Sequence, residues 1–359
     1  VRLDRQISSF ENIIYQNYRI AHGLRIGLAF VLTFLIIRLL AIPEGTWPLI
    51  TLVVVMGPIS FWGNVLQRAV QRIIGTFFGA ASGLIALRLE LYSLPLMLLW
   101  CGIVMFICGY LTLGKRPYMA LLIGITLAVV CGAGAGDMFT ALWRSGDVII
   151  GSLLALLFTS IYPQRAFIHW RMQMSGNLTA LSKIYAAYVS PNVIERPRLD
   201  GRLKKLLTDV VKMGTLVAPA SKESAIPKEV FDKIQNLCRN IVCVLELQID
   251  AWWASRESHF ILLNATTLRS TQMVTLRTLL TLSEALRQGN PAPIVANSSE
   301  LDTIAAELKQ LLDLASQREQ VEAPIFGYVW LSMKLTRQLE QLARLLCLAL
   351  RKPLPVQED

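Results

Sequence analysis

The sequence predicts an all-α protein: a six-span helical membrane domain, read as a 3+3 inverted repeat, followed by a cytoplasmic helical bundle. Three observations carry this expectation. Charge is uneven, since residues 1–162 hold 17 of the chain's 60 charged side chains while 54% of all 359 residues are hydrophobic. Six apolar runs in that first part approach the roughly 20 residues that a helix needs to cross a bilayer. From Pro163 onward, apolar residues recur at threes and fours with no strand-like alternation. The expected organisation is therefore a cytoplasmic N-terminal segment (1–19), a transmembrane domain (20–162) and a cytoplasmic bundle (163–359).

The apolar runs lie at about 24–42, 46–62, 70–89, 93–113, 118–136 and 143–162. The first is longer than the apolar core of a signal peptide and reads as an anchor that stays in place. Arg2, Arg5 and Arg19 precede the first run. Arg68 and Arg72 follow the second, Lys115 and Arg116 the fourth, and Arg165 and Arg171 the sixth. The opposite connections hold Glu44, Arg88 with Glu90, and Asp137 with Arg144. Because cationic loops stay inside, both termini are expected in the cytoplasm of a bacterial cell, with the spans in its inner membrane.

Residues 68–76 and 144–152 read RAVQRIIGT and RSGDVIIGS, two copies of R-x4-I-I-G-[T/S] that are 76 positions apart. Three crossings between copies would leave the second inverted, the arrangement of many small-solute transporters. The alternative is chance recurrence in apolar helices. The second run is interrupted at Gly57-Pro58 and the fifth ends in glycines around Gly134. Interruptions at matching positions point to a binding site, although ordinary kinks and helix ends give the same pattern. Gly75, Gly79 and Gly83 form a stripe that lets helix backbones approach, with Gly151 as the counterpart of Gly75. The stripe's partner helix is open, in this chain or in a second one.

Charged residues at membrane depth are candidates for function. Arg25, Arg72 and Arg144 could each hold a carboxylate bidentately, or could serve only to set topology. Asp147, three residues after Arg144, either neutralises it or marks the pathway. Arg38, near a helix end, reaches outward to the interface.

Function classes can also be excluded at this stage. The net charge of +10 divides equally between the two parts, and no basic run is interleaved with aromatics, so no nucleic-acid partner is expected. The six cysteines form no C-x2-C, and His22, His169 and His259 are far apart, so no metal site and no cofactor are expected. No phosphate loop, H-E-x-x-H or nucleophile elbow marks an enzyme.

In the second part, three helical stripes stand out. Leu203, Leu206, Leu207, Val210 and Val211 share one face, and Leu301, Ile304, Leu308, Leu311 and Leu312 another, opened by Ser299-x-x-Asp302 as a capping box. The last stripe runs through Tyr328, Leu331, Leu335, Leu339, Leu342, Leu346 and Ala349, suited to a dimer seam or to the bundle's own core. Breaks near 190–196, 218–228, 288–299 and 319–326 suggest five or six helices. Trp252, Trp253 and Phe260 read as core packing.

At these residues the chain resembles the fusaric-acid-resistance-type, or aromatic acid exporter, membrane family. The resemblance rests on Arg25, on Trp47 with Gly57-Pro58, on R-I-I-G-T-F-F-G from Arg72 to Gly79, and on Arg144-x2-Asp147-x3-Gly151. TWPLITLVVVMGPISFWGN, ALWRSGDVIIGS and PQRAFIHWR carry it further, over about residues 20–163 and into the second part. It implies export of aromatic carboxylic acids, and it extends to the six-span part of the plant malate channels, which work as dimers. Many exporters of the family have a second membrane block. A single block here implies pairing of two chains. The expected partners are thus a small organic anion, the lipid bilayer and a second copy of the chain. The competing expectation is a membrane scaffold whose helical bundle binds another protein.

Overall fold

The computed structural model describes residues 9–43, 45–57, 61–114, 116–132, 138–161, 164–190, 195–254, 266–316 and 323–350. Among these the regular elements are α-helices, with one isolated bridge between Phe61 and Gln164. They form two compact units, one spanning Gln16–Arg165 and the other joining the residues up to Tyr15 with those from Ala166 onward.

The first unit contains α2 (Tyr18–Leu39), α3 (Thr46–Met56), α4 (Trp62–Glu90), α5 (Leu94–Thr112), α6 (Pro117–Cys131) and α7 (Met138–Ile161). Prolines open three of them at positions where a missing N–H costs little: Pro48 in α3, Pro95 in α5 and Pro117 in α6. Helices α2, α4, α5 and the 142–161 part of α7 are long and apolar enough to cross a membrane. Helices α3 and α6 are apolar but shorter, with 11 and 15 residues. At 1.5 Å per residue they reach about 16 and 22 Å, against roughly 30 Å of hydrocarbon. The stretches that were expected to extend them, 58–60 and 133–137, lie outside the described residues.

Two boundaries differ from the sequence expectation. Helix α4 starts at Trp62 rather than near residue 70, so Arg68 stands inside it and Arg72 lies well past its first turn. The reason is a continuous buried face: Val65, Ala69, Arg72, Gly75, Thr76, Gly79 and Gly83 recur at threes and fours across the whole segment. Helix α7 begins at Met138, before the expected start near residue 143, so Arg144 lies in its second turn rather than at its head.

The glycine stripe of α4 packs on α6 of the same chain. A Cβ on Gly75 would lie 2.8 Å from Leu122 Cβ, one on Gly79 2.7 Å from the Ile123 carbonyl oxygen, and one on Gly83 2.6 Å from Val130 Cγ1. Helix α7 meets α3 in the same way, where a Cβ on Gly151 would lie 2.6 Å from the Pro48 carbonyl oxygen. Ala29 of α2, Leu52, Val55 and Met56 of α3, Val65 and Ala69 of α4, and Ala155 of α7 form one buried apolar cluster. Helix α5 turns outward: Phe106 is 77% exposed and Cys108 is its buried residue. An apolar helix with an apolar outer face is suited to hydrocarbon.

The second unit contains α1 (Ser9–Gln16), α8 (Ala166–Val189), α9 (Asp200–Lys212), α10 (Gly214–Ser224), α11 (Lys228–Trp253), α12 (Thr266–Gln288), α13 (Ala292–Ser316) and α14 (Ala323–Leu350). This is seven helices after Ala166 among the described residues, where five or six were expected. The difference arises because the breaks are short. Only Met213 separates α9 from α10, and α10 accommodates Pro219. The expected capping box at Ser299 is also absent. Helix α13 begins two turns earlier, where the Ala292 N–H donates to Asn290 Oδ1 at 3.0 Å, and Ser299 is an interior residue whose carbonyl accepts from Thr303 Oγ1.

The stripe on α14 faces its own unit. Tyr328, Leu331, Leu335, Leu339, Leu342, Leu346 and Ala349 are all buried, with α11, α12 and α13 packed around the helix. This occupies the face that would otherwise serve as a seam between chains. Trp252 is buried, 4.9 Å from the Tyr328 ring and 6.3 Å from Tyr188. Phe260, expected beside it, lies outside the described residues. Buried Arg171 of α8 closes the end of α12, donating from Nε to the Leu286 carbonyl at 2.9 Å and from Nη2 to that of Arg287 at 3.3 Å. A cation at a helix C-terminus satisfies orphan carbonyls and opposes the negative end of the dipole. Gly289 follows in a left-handed conformation, and a Cβ there would run into the same guanidinium.

Two predictions follow from the packing. Replacing Gly79 by Ala should force α4 and α6 apart, because a backbone carbonyl cannot move aside as a side chain can. The expected loss is about 1–3 kcal/mol, as for overpacked interiors. Thermal unfolding of the purified chain in detergent measures it, with Gly102→Ala, whose Cβ would meet nothing within 4 Å, as the neutral control. The second concerns His169, which is buried, accepts from Gln173 Nε2 at 3.0 Å, and is held by burial at a pKa of about 4. The unfolded chain takes up this proton near pH 6.5. Stability from neutral His169 is therefore complete above pH 6.5 and is lost as pH falls toward 4, by on the order of 3 kcal/mol. Hydrogen exchange in α8 should accelerate over that window, and His169→Gln should flatten the dependence.

Candidate functional site

Gly57 stands at the C-cap of α3, where helix carbonyls lack intrahelical donors. Its carbonyl accepts from His22 Nε2 at 3.0 Å, and His22 Nδ1 lies 3.2 Å from Arg25 Nη2. An Nε2–H that donates to Gly57 leaves Nδ1 to accept from Arg25, which assigns the neutral Nε2–H tautomer from the network. Arg25 and Gly57, separately expected at the site, are thus joined through a residue the sequence did not mark. His22 is three residues before Arg25 on α2, one helical turn away. That spacing was the available signal. Pro58, expected beside Gly57, lies outside the described residues.

Arg72 is 4% exposed on α4, one turn before Gly75. It faces the Tyr118 side chain at the start of α6, and the Arg68 guanidinium sits 5.3 Å from the centre of the Tyr118 ring. Close backbone approach at Gly75 brings these groups together. Arg144 of α7 donates from Nη1 to the Val129 carbonyl, 3.2 Å away, near the C-terminal end of α6. Arg72 and Arg144 therefore meet opposite ends of one helix. Eleven residues separate Tyr118 from Val129, about 16 Å along the axis. They do not form one cluster. Asp147 is fully buried on α7, one turn before Gly151 and its contact with α3. Gly134 lies outside the described residues. Gly75, Gly79, Gly83 and Gly151 all sit at helix contacts within the chain.

The short helices α3 and α6 thus share one feature. Each has a carbonyl at its C-terminal end held by a nitrogen donor from a long helix, His22 for Gly57 and Arg144 for Val129. Donors at these ends satisfy orphan acceptors that hydrocarbon cannot.

Residues 30–158 match the family described as "Fusaric acid resistance protein-like". The chain is 59% identical over 352 residues to "Inner membrane protein YeeA" of Escherichia coli (strain K12), covering 98% of this chain and all of that protein. The chain belongs to the fusaric acid resistance-like family. A further relative, an uncharacterized protein of Synechocystis sp., is 30% identical over 217 residues, which is 59% of this chain and 27% of that protein. The family match runs from the middle of α2 to near the end of α7, so it covers Arg72, Arg144, Asp147 and the glycine contacts but not His22 or Arg25.

The His22 bridge has a measurable consequence. His22→Leu removes the donor to Gly57 and the acceptor for Arg25 together, and should lower the stability of the solubilised chain by about 1–3 kcal/mol. His22→Gln, which supplies an N–H and a carbonyl at similar reach, should restore most of it in thermal unfolding.

Proposed function

We propose that this protein is a bacterial inner-membrane transporter for organic carboxylate anions, aromatic ones included. In this reading all six helices α2–α7 cross the bilayer, both termini are cytoplasmic, and the helices from Ala166 onward form a cytoplasmic bundle. Family membership supports it, as do the inner-membrane designation of the Escherichia coli relative and the placement of positive charge in the sequence.

The observation that carries the proposal is the crossed packing of two short helices. Gly75 and Gly151 are 76 positions apart, and each receives the short helix of the other half: α6 for Gly75 and α3 for Gly151. A pseudo-two-fold axis in the membrane plane pairs the third helix of each repeat with the second of its mate. That pairing supports a 3+3 inverted repeat over chance recurrence. Short apolar helices at matching positions, with polar side chains at their ends, are how solute sites near the midplane are built. Cationic Arg25, Arg72 and Arg144 give the pathway its preference for anions, since guanidinium stays charged and pairs with carboxylate bidentately. Two chains side by side, meeting through outward apolar surface such as that of α5, complete the proposed assembly.

Efflux of labelled benzoate from liposomes tests this. Reconstituted full-length protein should exceed empty liposomes, and Arg144→Ala should reduce the rate about tenfold, the worth of one charge-assisted hydrogen-bonding group. Equal efflux with and without protein, across aromatic and dicarboxylic acids, would sink the transport reading.

A further inference from the structure

We infer that the cytoplasm-proximal end of the α4–α6 seam is an oxyanion site, built by Arg72, the Tyr118 hydroxyl and the first turn of α6, and that its occupant is a carboxylate. This deepens the transport proposal and rests on it for the occupant's identity.

Arg72 carries a buried charge that no carboxylate offsets among the described residues. Arg72 is 4% exposed, and guanidinium does not give up its proton. Burying an unpaired ion costs several kcal/mol even after relaxation. Among the described residues no carboxylate lies within salt-bridge distance of Arg72, and α6 carries no acid at all. The ionisable side chain facing Arg72 is Tyr118. Tyr118 is the hydrogen-bonding neighbour of the Arg72 guanidinium, while Arg72 Nε has no partner. A neutral phenol does not offset the guanidinium charge, so the Nε edge of the fork remains available to an anion.

The surroundings are arranged for an anion. Tyr118 is the second residue of α6, whose N-cap Arg116 makes no side-chain hydrogen bond to the helix. First-turn amides and the positive end of the dipole therefore remain available at the same place. Arg68, stacked 5.3 Å from the Tyr118 ring centre, holds the phenol in position and adds a second positive charge. Contact at Gly75 with Met119 and Leu122 locks the distance between the two helices. A carboxylate accepts from the guanidinium fork and the phenol together. A phosphate group has the same acceptor chemistry, whether free or on a lipid headgroup.

The purified full-length chain in detergent provides the test, with benzoate, inorganic phosphate and phosphatidylglycerol as separate probes of its thermal unfolding. Benzoate should raise the midpoint of the wild type. In Arg72→Met this rise should vanish, while the ligand-free midpoint stays level with the wild type or moves above it, because a buried unpaired charge has been removed. Tyr118→Phe loses one oxygen and keeps the ring, so it should fold and bind benzoate several-fold more weakly. A benzoate response that persists in Arg72→Met, or an affinity unchanged in Tyr118→Phe, would overturn the site. A response to phosphate or phosphatidylglycerol with none to benzoate would overturn the carboxylate assignment. Arg72-dependent benzoate binding with no liposome flux would leave the site standing and remove transport. Flux in Arg72→Met equal to wild type would do the reverse.

Discussion

The contact of glycine against helix along α4 and α6 is the constraint on which the membrane-type unit depends. Gly75, Gly79 and Gly83 lie one turn apart and meet Leu122, Thr126 and Val130, also one turn apart. With no side chain intervening, the backbones approach closely and dispersion is gained along the whole seam. That approach also places function. Arg72, one turn before the stripe, is drawn into the seam against Tyr118 instead of reaching for the interface as a long cationic side chain ordinarily does.

Helix ends present the complementary problem. A short apolar helix exposes carbonyls that nothing in hydrocarbon satisfies, so each needs a donor from elsewhere in the protein. His22 and Arg144 supply donors to α3 and α6, and Arg171 does the same for α12 in the second unit. The recurring solution is a nitrogen donor at a C-terminal helix end, where the dipole is negative. At α3 the donor is a neutral imidazole with Arg25 behind it, so a charge candidate from the sequence becomes part of a structural chain. Arg25 and Arg144 thus both take part in holding helix ends.

Arg72 and Arg144, candidate arginines on the third helix of each half, have different surroundings. Arg144 is engaged with a backbone carbonyl, whereas Arg72 faces the Tyr118 phenol. The repeat is therefore unequal in its chemistry even where its glycines pack alike. Val148 stands at the position that Arg72 maps onto, so the second half lacks a buried arginine there and has buried Asp147 beside it.

Much of the helical architecture was legible in the sequence because periodicity is local. The stripes through Leu203 and Leu331, the apolar runs and the glycine spacing all report which face of a helix is buried. Boundaries were less legible: Ser299 resembles a cap, yet Asn290 and Pro291 begin that helix, since a cap depends on backbone conformation that residue type only favours. The site was the least legible part. Arg72 and Gly57 stand out as residue types at membrane depth, but Tyr118 is 46 positions from Arg72 and His22 is 35 from Gly57. The sequence by itself determined the all-helical class, the apolar character of α2–α7 and the candidate arginines. Only the tertiary structure decided that the glycine stripe pairs within the chain, that α14 spends its apolar face on its own unit, and which partner each arginine meets. Those outcomes depend on how distant helices approach one another, and no local pattern encodes that distance.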